Sequence, residues 1–146
     1  MQQSRAPEYD VFVSYSRKDS QKTEELISFL KRKNLHVWRD TDKITGGDNY
    51  KAHIYDAITQ SKCLIFVSSV NSNQSENVVK EIGIAVKNHV PIIPIWLDSS
   101  PYHKEIAYDI TNIDYLPFDG EKSLAKIYIA VASKLKPDCA SVIFRV

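Results

Sequence analysis

The 146-residue chain is predicted to be an α/β protein, a doubly wound sheet of five parallel strands with helices on both faces. Three observations lead there. Apolar, β-rich runs alternate with stretches of helical periodicity, so successive strands are joined by right-handed helical crossovers and pair in parallel. The run Cys63-Leu64-Ile65-Phe66-Val67 is apolar at every position, as a central strand covered on both sides requires. The length is enough for one domain with a sizeable hydrophobic core.

Taken in order, the first strand is Tyr9 to Tyr15. Leu26, Ile27 and Leu30 then share a helix face, with Asp19 or Ser20 placed to cap its start. Leu35 to Trp38 is a second strand. Tyr50, Ile54, Ala57 and Ile58 fall at i, i+4, i+7 and i+8, an amphipathic helix. Beyond the central strand, Val78, Ile82, Ala85 and Val86 repeat that pattern, with Ser75 as the cap and Glu76 favourable in the first turn. Pro91 to Leu97 is the fourth strand, and Pro94, which cannot donate to a ladder, predicts a strand end or bulge inside it. Ile113 to Leu116 is the fifth strand, and Leu124, Ile127, Tyr128, Val131 and Leu135 line one side of a last helix. This is a flavodoxin-like α/β arrangement over residues 9–136. Residues 1–8 read as an N-terminal tail, and 137–146 as a C-terminal tail or the start of a linker to a second domain.

Nineteen basic residues against eighteen acidic ones leave a net charge of +1, which gives no electrostatic argument for nucleic acid or a membrane surface. The scattered histidines and the two distant cysteines, Cys63 and Cys139, make neither a zinc site nor a disulfide framework, so no metal is expected. Cys63 reads as a buried apolar thiol, and a reducing, cytoplasmic location fits it. No apolar run approaches the roughly 20 residues of a membrane span, and the first residues lack a signal-peptide core.

In doubly wound sheets, ligands bind outside the carboxyl ends of the strands, near the point where strand order reverses. That rule selects the loops Ser14 to Asp19, Arg39 to Asn49, Ser68 to Glu76 and Asp98 to His103. Two of the four glycines, Gly46 and Gly47, lie in one of them, as a mobile or tightly turning segment or as an ordinary turn. Several nucleotide chemistries drop out. Val13-Ser14-Tyr15-Ser16-Arg17 stands where a glycine-rich dinucleotide fingerprint would follow the first strand, and there is no P-loop or nucleophile elbow. The central strand ends Val67-Ser68-Ser69, without the aspartate of a phospho-receiver.

Glu81 lies i+3 from Val78 and i−4 from Ala85, at the border of the apolar stripe. The pattern alone fits a carboxylate leaning into a cleft, but more readily a boundary glutamate pairing with Lys80 or Lys87. Arg17 could bind a phosphate or form a surface salt bridge, and Trp38 could be a stacking platform or core.

Tyr9-Asp10-Val11-Phe12-Val13-Ser14-Tyr15-Ser16 resembles the opening strand of a Toll/interleukin-1 receptor (TIR) domain. Val37-Trp38-Arg39-Asp40, followed by a glycine-containing loop, is similar to that family's second strand and BB loop. Leu64 to Ser69, then Val79-Lys80-Glu81-Ile82, resemble its third strand and the helix carrying its glutamate, and Pro91 to Ile95 resembles its fourth strand. These pieces follow one another in order over residues 9 to 135. The resemblance, closest to NAD-cleaving bacterial-type members, implies Glu81 as the catalytic carboxylate. By position it implies Tyr15, Ser16, Arg17, Trp38, Asp40, Gly46, Gly47, Asp48 and Asn77 around the substrate. Asn77 is a departure, since enzymatic members often have a tryptophan there.

The function implied is an NAD+ glycohydrolase releasing nicotinamide and ADP-ribose or cyclic ADP-ribose, with NAD+ as substrate and no further cofactor. Self-association through TIR–TIR contacts, a fused or separate sensor domain and a role in anti-phage or immune defence follow from the same resemblance. The alternative is a non-catalytic scaffold for homotypic TIR–TIR assembly. A single carboxylate suits the chemistry. Glycosidases normally need two, because an alkoxide leaving group must be protonated. Nicotinamide leaves NAD+ as a neutral pyridine, so one preorganised carboxylate can stabilise the charge developing on the ribose.

Overall fold

A computed structural model describes residues 9–39 and 50–135. The elements run β1 (Tyr9–Ser14), α1 (Ser20–Arg32), β2 (Val37–Arg39), α2 (Tyr50–Thr59), β3 (Ser61–Ser68), α3 (Glu76–Lys87), β4 (Ile92–Trp96), α4 (Lys104–Ile110), β5 (Leu116–Pro117) and α5 (Glu121–Leu135). Single turns of 3-10 helix sit at Arg17–Asp19 and Ser72–Gln74. The five strands pair in parallel in the order β2-β1-β3-β4-β5. The expected α/β architecture is therefore present.

From β1 the chain first crosses to one side, to β2, and later continues on the other side through β3, β4 and β5. Right-handed crossovers in opposite directions place helices on opposite faces. One face packs α1 and α5 against Val11, Val13, Cys63, Ile65, Val67, Ile93 and Ile95. The other packs α2, α3 and α4 against Phe12, Leu64, Phe66 and Ile92. Alternation along β1 and β3 thus sends odd-numbered side chains to the first face and even-numbered ones to the second.

Several local expectations change, and the fifth strand, expected over Ile113 to Leu116, is only Leu116–Pro117. Pro94 sits inside β4, aligned with Phe66, and makes neither a strand end nor a bulge. Leu97 N–H donates to Ser68 of β3, whereas the Trp96 carbonyl accepts from Phe118 beyond β5. Pro94 has the parity of Trp96, so its missing donor faces the β5 side, where pairing starts only at Ile95. Helix α4 was not predicted: of its seven residues only Ile106 and Ile110 are buried, too short a pattern to register. At α1, Asp19 holds the cap position but makes no side-chain cap bond, because its carboxylate is engaged elsewhere. Ser75 caps α3 as expected, accepting from Val78 N–H at 3.3 Å.

Candidate functional site

The strand order reverses between β1 and β3, so the crevice rule points to their carboxyl ends on this sheet. Two hydroxyls stand there, Ser14 ending β1 and Ser68 ending β3. Both have even numbers, and both therefore face the α2–α3 side. Ser14 Oγ donates to Glu81 Oε1 at 2.6 Å.

Glu81 is 5% exposed, among the apolar Val78, Val79, Ile82 and Ala85 of its own helix. It is buried more deeply than a border position suggests. A glutamate is rarely so covered unless it is paired, and a hydrogen bond to a carboxylate contributes about 1.5–3 kcal/mol against that desolvation. Beside it, Lys51 and Ile54 of α2 with Asn77, Lys80 and Ile84 of α3 enclose a cleft of about 170 Å³ that Glu81 also lines. The cleft is a mixed surface: one carboxylate, two cations, one amide and two aliphatic walls.

The loop between β3 and α3 is tied down residue by residue. Asp19 accepts from Ser69 Oγ at 2.5 Å and from Asn71 Nδ2 at 3.0 Å. Asn73 Nδ2 donates to Ser68 Oγ at 3.0 Å, and its carbonyl oxygen accepts from His103 N–H at 3.0 Å. Val70 N–H donates to Asp98 Oδ2 at 3.0 Å. Burial acts to raise the Asp98 carboxyl, but backbone N–H bonds from Ser100 and Val70 outweigh it and hold the group below its ordinary value. The turn after β1 and the loop after β4 thereby fix the loop that launches α3, and with it the position of Glu81.

The residues expected around a substrate fall into four groups. Asn77 is exposed and shares the cleft with Glu81. Ser16 caps the 3-10 turn after β1, accepting from Lys18 N–H at 3.2 Å, and Arg17 in that turn is exposed. Tyr15 and Trp38 are core residues. Tyr15 packs on the α1–α5 face, away from the cleft, and Trp38 stacks on Phe12 with ring centroids 5.0 Å apart. Asp40, Gly46, Gly47 and Asp48 lie outside the described residues. Among the described residues, no group of three or more His, Cys, Asp or Glu side chains is placed to hold a metal ion, and no helix is long and apolar enough to cross a membrane.

Residues 11–128 match the TIR domain family. The chain belongs to that family. Among curated relatives, this TIR domain is 30% identical over 122 residues to a probable 2′ cyclic ADP-D-ribose synthase, TcpO, of Methanobrevibacter olleyae, covering 82% of this chain and 33% of the relative. It is 32% identical over 94 residues to the NAD(+) hydrolase TcpA of a Theionarchaea archaeon, covering 61% of this chain and 29% of that one. It thus spans about a third of the length of these curated relatives. Among solved structures, the TIR domain of a Toll-related receptor, TRR-2, of Hydra magnipapillata superposes with a TM-score of 0.71 at 22% identity, covering 85% of this chain and 98% of that one. That likeness is one of fold.

Sequence reasoning passed over Ser14, Lys51 and Lys80 as site residues. Ser14 carried a usable signal, since it ends the first strand with the parity of Phe12. The lysines carried none beyond being exposed helix residues.

Proposed function

We propose that this TIR domain cleaves the N-glycosidic bond of NAD+, releasing nicotinamide with ADP-ribose or a cyclised ADP-ribose. The observation that carries the reading is Glu81, a carboxylate 5% exposed that lines a cleft between α2 and α3 and is bonded to Ser14 at the end of β1. The activities named for TcpO and TcpA support it.

In this reading the bond from the ribose C1′ to the nicotinamide nitrogen breaks with its electron pair going to the ring. Nicotinamide leaves neutral, and positive charge develops on the ribose beside the Glu81 carboxylate. A low-dielectric surround strengthens that attraction. Water then attacks C1′ and loses a proton to solvent, giving ADP-ribose, or a hydroxyl of the same molecule attacks C1′ and likewise loses its proton to solvent, giving the cyclic product. Lys51 and Lys80 supply positive charge for the pyrophosphate, and Asn77 an amide for hydrogen bonding. The cleft formed by the described residues, about 170 Å³, is smaller than the about 300–1,000 Å³ of typical ligand sites. It suits the nicotinamide-ribose end, and a neighbouring copy of the domain would enclose the remainder.

The domain incubated with NAD+ over a range of protein concentrations is expected to release nicotinamide, with specific activity rising as self-association sets in. No nicotinamide at concentrations where the protein is demonstrably associated contradicts the reading and favours the scaffold. A role in defence by NAD+ depletion or signalling, in a reducing compartment and under a separate or fused sensor, belongs to the same proposal.

A further inference from the structure

We infer that Ser14 is a positioning residue for Glu81, its hydroxyl setting the direction in which the carboxylate faces the cleft. This rests on the catalytic reading of Glu81 given above. The 2.6 Å separation of Ser14 Oγ and Glu81 Oε1 falls in the short range of a hydroxyl donating to an ionised carboxylate. The donor is 1% exposed, so water does not compete for it.

The two partners lie 67 residues apart, on different elements. Ser14 stands on β1, which is paired on both sides, by β2 and by β3, with Ser14 itself in register with Phe66. Next on the same face of that strand, Phe12 is held by its stack on Trp38. A donor on so constrained a strand fixes one carboxylate oxygen relative to the sheet. Glutamate has three side-chain torsions, and the buried Val78, Ile82 and Ala85 of its own helix are apolar, while Asn77 shares the cleft. Packing alone sets the space available to the carboxylate but not its rotation. The Ser14 hydroxyl constrains that rotation by holding Oε1. Lys51 and Lys80 also line the cleft, and as long flexible cations they act through charge, with little directional constraint.

The test uses three variants with NAD+ turnover followed by nicotinamide release. Thr and Val have nearly the same shape and differ by the hydroxyl, so Ser14→Thr and Ser14→Val crowd the strand end alike. We expect Ser14→Ala and Ser14→Val to lose about 10–100-fold in kcat. KM should stay within about twofold, because the substrate's binding contacts are not touched. Ser14→Thr should keep kcat at least about tenfold above Ser14→Val. Equal kcat for the Thr and Val variants, or a wild-type kcat for Ser14→Ala, overturns the proposal. Carboxyl carbon-13 NMR of Glu81 separates this question from the activity itself. In Ser14→Ala the Glu81 signal should move while amide signals elsewhere hold, and an unmoved Glu81 signal overturns the positioning role whether or not the wild type cleaves NAD+.

Discussion

The two faces of the sheet are built from the same strands and differ most at the strands' carboxyl ends. On the α1–α5 side, Val13 and Val67 continue the apolar core to the rim and Tyr15 closes it. On the α2–α3 side, the residues one step along are Ser14 and Ser68, and the helix above them inserts Glu81. A change of one position in β1 or β3 thus moves from sealed core to a polar site, because successive side chains point to opposite faces. Both faces bury a large apolar core, but only the α2–α3 side ends in buried polar groups at the strand ends, with β1 and β3 serving both.

The largest effect expected from breaking this division is on stability. Ile65 is fully buried on the α1–α5 side, and Ile65→Ala should cost about 2–5 kcal/mol in urea unfolding. Nicotinamide release per folded molecule should stay near wild type. A selective loss of activity without a loss of stability would erase the distinction between the faces.

Asp19 sharpens it from the other side. Asp19→Ala removes the acceptor for Ser69 and Asn71 and should cost about 1–3 kcal/mol. It should also loosen the loop that launches α3, seen as faster amide exchange in residues 69–73 with the β1 and β3 core amides unchanged.

A further effect is a pH dependence on the sealed face. Burial pushes the Cys63 thiol from 9.0 up to about 12, with Lys134 opposing and Asp10 adding. The folded value lies above the unfolded one, so the folded state holds the proton more tightly. The contribution is full below pH 9.0 and is lost as pH rises from there towards about 12. Unfolding free energies of wild type and Cys63→Val should therefore converge, or cross, between pH 8 and pH 10.5 in the direction that disfavours wild type. A constant difference contradicts the burial argument.

Much of the fold was legible because periodicity survives folding. The apolar run at Cys63 to Val67 became the central strand β3, and the stripe Val78, Ile82, Ala85 became the buried side of α3. Other placements have particular causes. Trp38 and Tyr15, aromatics expected around a substrate, are buried in the two cores. For Tyr15 the parity it shares with Val11 and Val13 already assigned it to the opposite face. Asp19 looked like a helix cap because its type and position suit one, yet its partners lie 50 and 52 residues away and no local rule reveals them. Periodicity showed Glu81 only as a charge at the edge of a stripe, and the family resemblance singled it out. Its depth depends on α2 closing over α3, a tertiary contact that the helix pattern does not encode.

The proposed activity rests on the Glu81 carboxylate stabilising positive charge on the ribose. Glu81→Gln keeps the shape of the side chain and removes the charge, so the fold should survive while charge stabilisation is lost. The most direct measurement is nicotinamide release from NAD+ by wild type and Glu81→Gln at equal, high protein concentration, with folding of both checked by circular dichroism. The expected result is robust release by wild type and a loss of at least about 100-fold in the folded variant. Release by folded Glu81→Gln at the wild-type rate would contradict the account.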